Sequence, residues 1–294
     1  MTTEPALDAG IEMQAFAERV DRVLESFLEG CALDMEAAAE GGRAMADEIL
    51  RLLRAGGKRL RPAFCYWGFR AAGGADGEPI LRASAAMELL HTMALVHDDL
   101  LDHTPERRGA PTTGPRMAEA APVLAPSIDP RTFGTSAAIL VGDLAAVLAD
   151  RLLLESGFEP AALERALDVY HRMRVETAVG QFLDVAGRGA EPARAREVAR
   201  LKGGAYTVEG PLLVGAALAD GGADVRAALG RYGRALGEAF QLRDDLHDED
   251  ATSGVTADEV NGLVERARDA LGQAPMDPDA ATVLERMAGS VAMA

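Results

Sequence analysis

Asp98, Asp99 and Asp102 raise the first chemical question in this sequence. They close a mostly apolar stretch that runs from about His91, and two arginines and a glycine, Arg107, Arg108 and Gly109, follow them. On a helix Asp98 and Asp102 share a face one turn apart, and Asp99 reaches Asp102 at i+3. Like charges at that spacing repel, so a cation is expected among them. With no Cys or clustered His nearby, such oxygen donors select hard cations. Mg²⁺ in particular is held by one or two carboxylates plus substrate phosphate. The stretch reads either as a helix end that holds Mg²⁺ against a diphosphate or as a solvated acidic helix end, and taken alone it does not separate the two.

Two further stretches bear on that choice. Asp244, Asp245 and Asp248 repeat the DDxxD spacing in EAFQLRDDLHDED, again late in an apolar helix. Carboxylates there meet the negative end of the helix dipole, so placing them so twice costs stability unless cations bind. Opposite in sign is AGGKRLRPAF, where Lys58, Arg59 and Arg61 fall within four positions and Pro62 suits the first turn of the next helix. Backbone N–H groups at that helix start, with Lys58 and Arg61, would suit a diphosphate; the bland reading is an ordinary basic loop. Lys58 and Lys202 are the only lysines among 30 basic residues, two compact point charges in a chain that otherwise uses Arg. Lys202, amid Leu201, Val208 and Leu212, reads as a snorkelling cation or a phosphate contact. His91 lies seven residues before Asp98 and roughly on its face, as a core histidine or a ligand contact.

The elements that must carry these groups read as helices. Ile11, Phe16, Val20, Val23, Leu24, Phe27 and Leu28 recur at helical spacing within 8–40. Further helices are expected over 43–54, from Pro62 through Phe69, and from Ile80 to about Asp102, the last mostly apolar and central. Others follow over 133–155, over 160–186 with Gln181 and Asp184 near its end, over 192–219 with Lys202, Tyr206 and Thr207, and over 224–248. Two short ones, separated by Pro275 and Pro278, fill 256–293. Residues 103–132, rich in Pro, Gly, Thr and charge, predict a long loop.

Composition agrees with an all-α fold: 48% of residues are hydrophobic, only 4% are aromatic, and no stretch alternates with period two. The 294 residues are read as one domain over 1–294, although the length would also suit two average-sized domains. A net charge of −17 argues against binding nucleic acid or an anionic membrane surface. Cys31 and Cys65 read as buried free thiols in a reducing, cytoplasmic compartment. MTTEPALDAG has neither a basic n-region nor an apolar h-region, and no apolar run reaches about 18 residues, so neither leader nor spanning helix is expected.

The motifs occur in a telling order: GGKRLRP at 56–62, LLHTMALVHDDLLD at 89–102, RRGAPT at 107–112, GD at 142–143, GQFLD at 180–184 and FQLRDDLHD at 240–248. With them the chain resembles the trans-isoprenyl diphosphate synthases, or polyprenyl synthetases, and especially the geranylgeranyl-type synthases of bacteria. The resemblance implies an isoprenoid synthase fold, a helical bundle around a deep central cavity, usually a homodimer. It implies head-to-tail condensation of isopentenyl diphosphate with an allylic diphosphate. Mg²⁺, three ions with substrate bound, would bridge Asp98, Asp102, Asp244 and Asp248 to the diphosphate. Asp99 and Asp245 complete the two acidic motifs. Arg107 and Lys202 would stabilise the departing charge, and Lys58, Arg61, His91 and Arg108 would hold the diphosphate of isopentenyl diphosphate. Thr207 and Gln241 would lie near the allylic cation. In this family the residues just before the first DDxxD set product length; Met93, flexible, and Ala94, small, favour a C20 product over C15.

The sequence departs from the family pattern in two places. No Gly-Lys loop or further basic segment follows the second DDxxD, so a stretch near 246–252 is expected to be missing relative to such enzymes. Gly203 follows Lys202 where a Ser or Thr is usual, removing a hydroxyl contact. Three competing functions are weighed against chain elongation to C20. A class I terpene cyclase should lack GGKRLRP and the second DDxxD. A non-catalytic prenyl-diphosphate-binding subunit stays open because of the missing loop, and a farnesyl-length synthase differs only in product.

Overall fold

The structure, a computed structural model, describes residues 4–187, 192–247 and 256–292. Helices α1 (Glu4–Ala38), α2 (Arg43–Arg54), α3 (Leu60–Ala71) and α4 (Glu78–Leu101) lead to a two-stranded hairpin, β1 (Glu106–Arg107) and β2 (Ala110–Pro111). Then come α5 (Thr113–Leu124), α6 (Pro130–Leu154), α7 (Pro160–Val185) and α8 (Pro192–Ala199). A π-helical segment, Arg200–Glu209, precedes α9 (Gly210–Leu218), α10 (Ala223–His247), α11 (Ala257–Leu271) and α12 (Pro278–Gly289). The all-α expectation holds. Among the described residues no helix is long and apolar enough to cross a membrane, and Cys31 and Cys65 are buried and not joined in a disulfide.

The chain sorts into two compact units. The first comprises residues 17–59 and 81–156. Within it α1 buries Val20, Leu24, Leu28 and Cys31, one stripe at helical spacing. From Leu81 to Leu90 nearly every residue of α4 is buried, as befits a helix that is apolar all round. Only its last turns become polar. Helix α6 starts on Asp129, whose side chain accepts hydrogen bonds from Thr132 N and Oγ1, both at 2.9 Å, with Pro130 in the first turn. Helices α2 and α5 meet on Glu48, 3% exposed. Its carboxylate takes two bonds from Arg51 at 2.6 and 2.8 Å, one from Arg116 at 3.0 Å and one from the Thr113 hydroxyl at 3.1 Å.

The second unit comprises residues 1–16, 60–80 and 157–294. Helices α3 and α9 approach so closely that a side chain at Gly68 would strike the Leu212 backbone and one at Gly215 the carbonyl of Cys65. Tyr232 on α10 is fully buried and donates its hydroxyl to the Leu284 carbonyl of α12 at 2.7 Å. Burial holds that phenol well above its ordinary pKa. Helix α11 opens on a capping pair, with Thr256 accepting from the Glu259 N–H at 3.2 Å.

Two expectations are corrected. Residues 103–132 are not a long loop but the hairpin and α5. Pro115 falls in the first helical turn, where its missing N–H has no partner to lose, and MAEAA continues in good helix formers. Nor is 192–219 one α-helix, because ten residues at its centre wind as a π-helix.

Candidate active site

The last turn of α4 fixes where the first three aspartates emerge. The Thr104 N–H bonds back to Asp99 O at 2.9 Å and the His103 N–H to Leu100 O at 3.3 Å. His103 sits at φ +52°, the left-handed position of a Schellman cap, with His where Gly is usual. Asp99 is buried, Asp98 half-buried and Asp102 exposed. Arg107 lies across them. Its Nε and Nη2 reach Asp99 Oδ1 at 2.8 and 2.7 Å, and Nη2 lies 3.9 Å from Asp98 Oδ2.

Arg107 is placed by the hairpin. Strand partners Glu106–Pro111 and Arg107–Ala110 leave Arg108 and Gly109 as the two turn residues, at φ +54° and +75°. Positive φ at both is the mark of a type I′ turn, which Gly109 adopts without steric cost. Thr112 closes the base: its N–H bonds to Pro105 O at 3.0 Å and its hydroxyl to Thr104 O at 2.7 Å. Arg108 Nη1 donates to Gly56 O at 2.7 Å, which ties the RRG turn to the GGKRLRP loop. Lys58 is exposed on that loop.

Arg59 differs from its basic neighbours. It is 5% exposed, at φ +48°. It donates to Asp21, Glu88 and the Leu53 carbonyl, each at 2.7 Å. This guanidinium holds the loop onto α1, α2 and α4. Further back on α4, His91, Met93 and Ala94 are each half-buried.

The second unit gathers the remaining predicted residues. Lys202 pairs with Asp184 of the GQFLD motif at 2.7 Å, so both readings of Lys202, snorkelling and phosphate contact, must accommodate this partner. A side chain at Gly180 would strike the Lys202 backbone. A π-helix closes its hydrogen bonds at i+5, so Lys202 and Thr207 come much nearer to one face than an α-helix allows. Thr207, 6% exposed, accepts from Arg61 Nη2 at 2.9 Å. The Arg61 guanidinium carbon lies 4.3 Å from the Tyr206 ring centre, a cation–π contact. A Cβ at Gly203 would lie 2.6 Å from Gln241 Oε1; the carboxamide of Gln241 fills the space that a Ser or Thr side chain would need. Asp244 is exposed, with Arg243 at 3.5 Å. The side chain of Asp245, the whole of Asp248 and most of 246–252 lie outside what the structure describes.

Among the described residues no three carboxylate, imidazole or thiol groups converge into a metal cage. The donor chemistry nevertheless suits Mg²⁺, which takes one or two carboxylates and draws its remaining ligands from phosphate and water. Asp98 and Asp102 are such donors, while Asp99 is committed to Arg107.

Sequence reasoning gave no role to Glu48, Thr112 or His97. Thr112 stood inside the RRGAPT run, but a hydroxyl that closes a hairpin leaves no signature beyond its motif. His97 packs against Gly142 across 45 positions, and only the paired GD motif hinted at it.

The helical fold, broken only by the short hairpin among the described residues, is that of the isoprenoid synthases. It superposes on the geranylgeranyl pyrophosphate synthase of Corynebacterium glutamicum, solved with isoprenyl diphosphate and magnesium, with a TM-score of 0.85 and 27% identity, covering 94% of this chain and 98% of that one. The profile of the Polyprenyl synthetase family matches residues 43–260, and the chain belongs to that family. It is 31% identical over 204 residues to the geranylfarnesyl diphosphate synthase of Aeropyrum pernix, spanning 67% of this chain and 59% of that protein. It is 31% identical to the geranylgeranyl diphosphate synthase of Methanosarcina mazei over 69% of this chain and 58% of that protein. Against the nonaprenyl diphosphate synthase of Mycobacterium tuberculosis it is 27% identical, covering 86% and 69%. The chain thus matches less than two thirds of the length of the first two relatives.

Proposed function

We propose that this protein elongates prenyl chains by joining isopentenyl diphosphate head to tail with an allylic diphosphate to give an all-trans product. The observation that carries this reading is the continuous link Gly56–Arg108–Arg107–Asp99. It sets anion-binding side chains beside carboxylates suited to a hard cation. The names of the similar proteins support the same chemistry.

Asp98, Asp102, Asp244 and Asp248 would hold Mg²⁺, which when bound neutralises charge on the diphosphate leaving group. Arg107 and Lys202 add fixed positive charge as the allylic C–O bond breaks and the diphosphate leaves with its electron pair. Lys58, Arg61, His91 and Arg108 hold the other diphosphate. The double bond of isopentenyl diphosphate then closes the new C–C bond, and the released diphosphate takes the proton from the neighbouring carbon. Thr207 and Gln241 offer polar atoms too weakly nucleophilic to trap the cation. The half-buried pair Met93 and Ala94, one flexible and one small, favours a geranylgeranyl (C20) product. A second copy of the chain is the proposed partner, supported by the apolar ridge that α6 exposes at Ile139, Leu140, Val147 and Leu154.

The deciding assay supplies an allylic diphosphate with and without isopentenyl diphosphate and Mg²⁺, followed by product identification. A longer diphosphate formed only with all three is expected. A hydrocarbon would make the protein a cyclase, and no turnover a binding subunit.

A further inference from the structure

The family motifs leave two features of the first unit without a task, the histidine just before the first aspartate pair and the GD pair of α6. They meet. A methyl group at Gly142 would strike Nε2 and Cδ2 of His97 and lie 3.0 Å from its Cε1, so the imidazole occupies the space that only glycine leaves. His97 Nε2 lies 3.2 Å from the carbonyl oxygen of Ile139, one turn earlier on α6, and 3.8 Å from Asp143 Oδ1. Since a carbonyl only accepts, this nitrogen carries the proton and donates. We infer that His97 and Gly142 form a seat fixing the last turn of α4 on α6, and with it the direction in which Asp98 and Asp99 leave the helix.

The position of the seat makes it matter. Upstream, α4 is held by near-total burial from Leu81 to Leu90. Beyond Val96 that grip loosens: Asp99 is still buried, but Leu100 is only half-buried and Leu101 and Asp102 are exposed. Arg107 on Asp99 and the His97 ring in its notch both anchor the acidic turn. A bulkier residue at 142 would push the ring out and take its bond to Ile139 with it. His97 is a positioning residue, because its effect passes through the aspartates that follow it on α4. That it steers metal ligands rests on the function proposed above.

The test titrates inorganic pyrophosphate and Mg²⁺ into the wild type, Gly142→Ala, His97→Ala, the double variant and His97→Gln by calorimetry, and melts each protein. Both single alanine variants should weaken Mg²⁺–pyrophosphate binding by roughly ten- to a hundredfold, as when a group orienting a metal ligand is removed. The double variant should be no worse than either, because both substitutions empty the same seat. His97→Gln, which keeps a donor for Ile139 O, should bind much as wild type does. Losses that add in the double variant, or wild-type affinity in Gly142→Ala, overturn the inference. A wild type that fails to bind Mg²⁺–pyrophosphate overturns the proposed function instead. The melting cycle then decides the seat alone, with additive shifts in Tm removing it.

Discussion

Arg107 grips Asp99 through two nitrogens on one carboxylate oxygen, at 2.8 and 2.7 Å, and Asp99 is 8% exposed. The pairing divides the first acidic motif into one aspartate that anchors a cationic side chain and two whose oxygens suit a metal.

That division predicts unequal effects of substitution. Asp98→Ala and Asp102→Ala should raise the Mg²⁺ concentration for half-maximal activity roughly tenfold or more, and Asp99→Ala should raise it less. Arg107→Ala leaves Asp99 charged and nearly buried. With the arginine side chain 40% exposed, the loss is about 1–2 kcal/mol after allowance for solvent screening, read from urea unfolding. A uniform Mg²⁺ effect across all three aspartates would contradict the division.

The GGKRLRP loop should respond oppositely at adjacent positions. Arg59→Ala strands the buried Glu88 and should destabilise the protein by about 3–5 kcal/mol. Arg59→Lys should rescue little, since an ammonium cannot reproduce three directed bonds. Lys58→Ala, at an exposed position, should change stability by less than about 0.5 kcal/mol while weakening diphosphate binding. Denaturation and pyrophosphate titration of the same proteins separate the two roles.

Gly203→Ser restores the residue type usual in the family, yet should lower the proposed activity. The new Cβ would sit 2.6 Å from Gln241 Oε1 and displace the carboxamide. The expected result is a fall in kcat of about tenfold with KM nearly unchanged. Steady-state kinetics showing an unchanged or higher kcat would mean that Gln241 does not need its present place.

Glu209 predicts a pH signature. Burial pushes its carboxyl above the ordinary glutamate pKa, against the pull of Arg234. In the window between the ordinary and the raised value the folded state holds more proton than the unfolded state. This contribution to stability is therefore full below the ordinary value and lost as pH rises through the raised one. Glu209→Gln should accordingly raise Tm at neutral pH relative to wild type, with the gain shrinking in acid. Melting curves at neutral pH and near pH 4 check the sign.

Product length is tested by Ala94→Phe, which puts a ring one helical turn before Asp98. Products should shorten by one or more C5 units on chromatography. An unchanged product would show that the growing chain does not pass residue 94.

Much of this molecule was legible in its sequence, for reasons that differ by element. Helices α2, α4, α6 and α7 announced themselves because their apolar residues recur at one period and Pro or Gly marks their ends. Arg108 and Gly109 were visible as residues, but their type I′ turn was not, because Pro, Gly and Thr signal hairpins, first helical turns and open loops alike. The ion pair of Lys202 with Asp184 could not be read, since it joins positions 18 apart through a segment whose winding no pattern betrays. His97 and Gly142 stayed hidden for the opposite reason: their fit is one of shape, and shape complementarity between distant positions leaves no mark in residue type.

The winding of Arg200–Glu209 also decides what a change of chain length would do there. A ladder closed at i+5 carries more residues per turn than an α-helix, so it contains slack. Removing one residue lets one wide turn relax to α geometry without breaking the helix, and because four α residues sweep about 400°, close to what five sweep in the wider turn, the two sides keep nearly the same orientation about the axis. In this segment the wide turn absorbs a one-residue change of length, and a Lys202–Thr207 interval shortened to four residues would keep both its helix and its shared face.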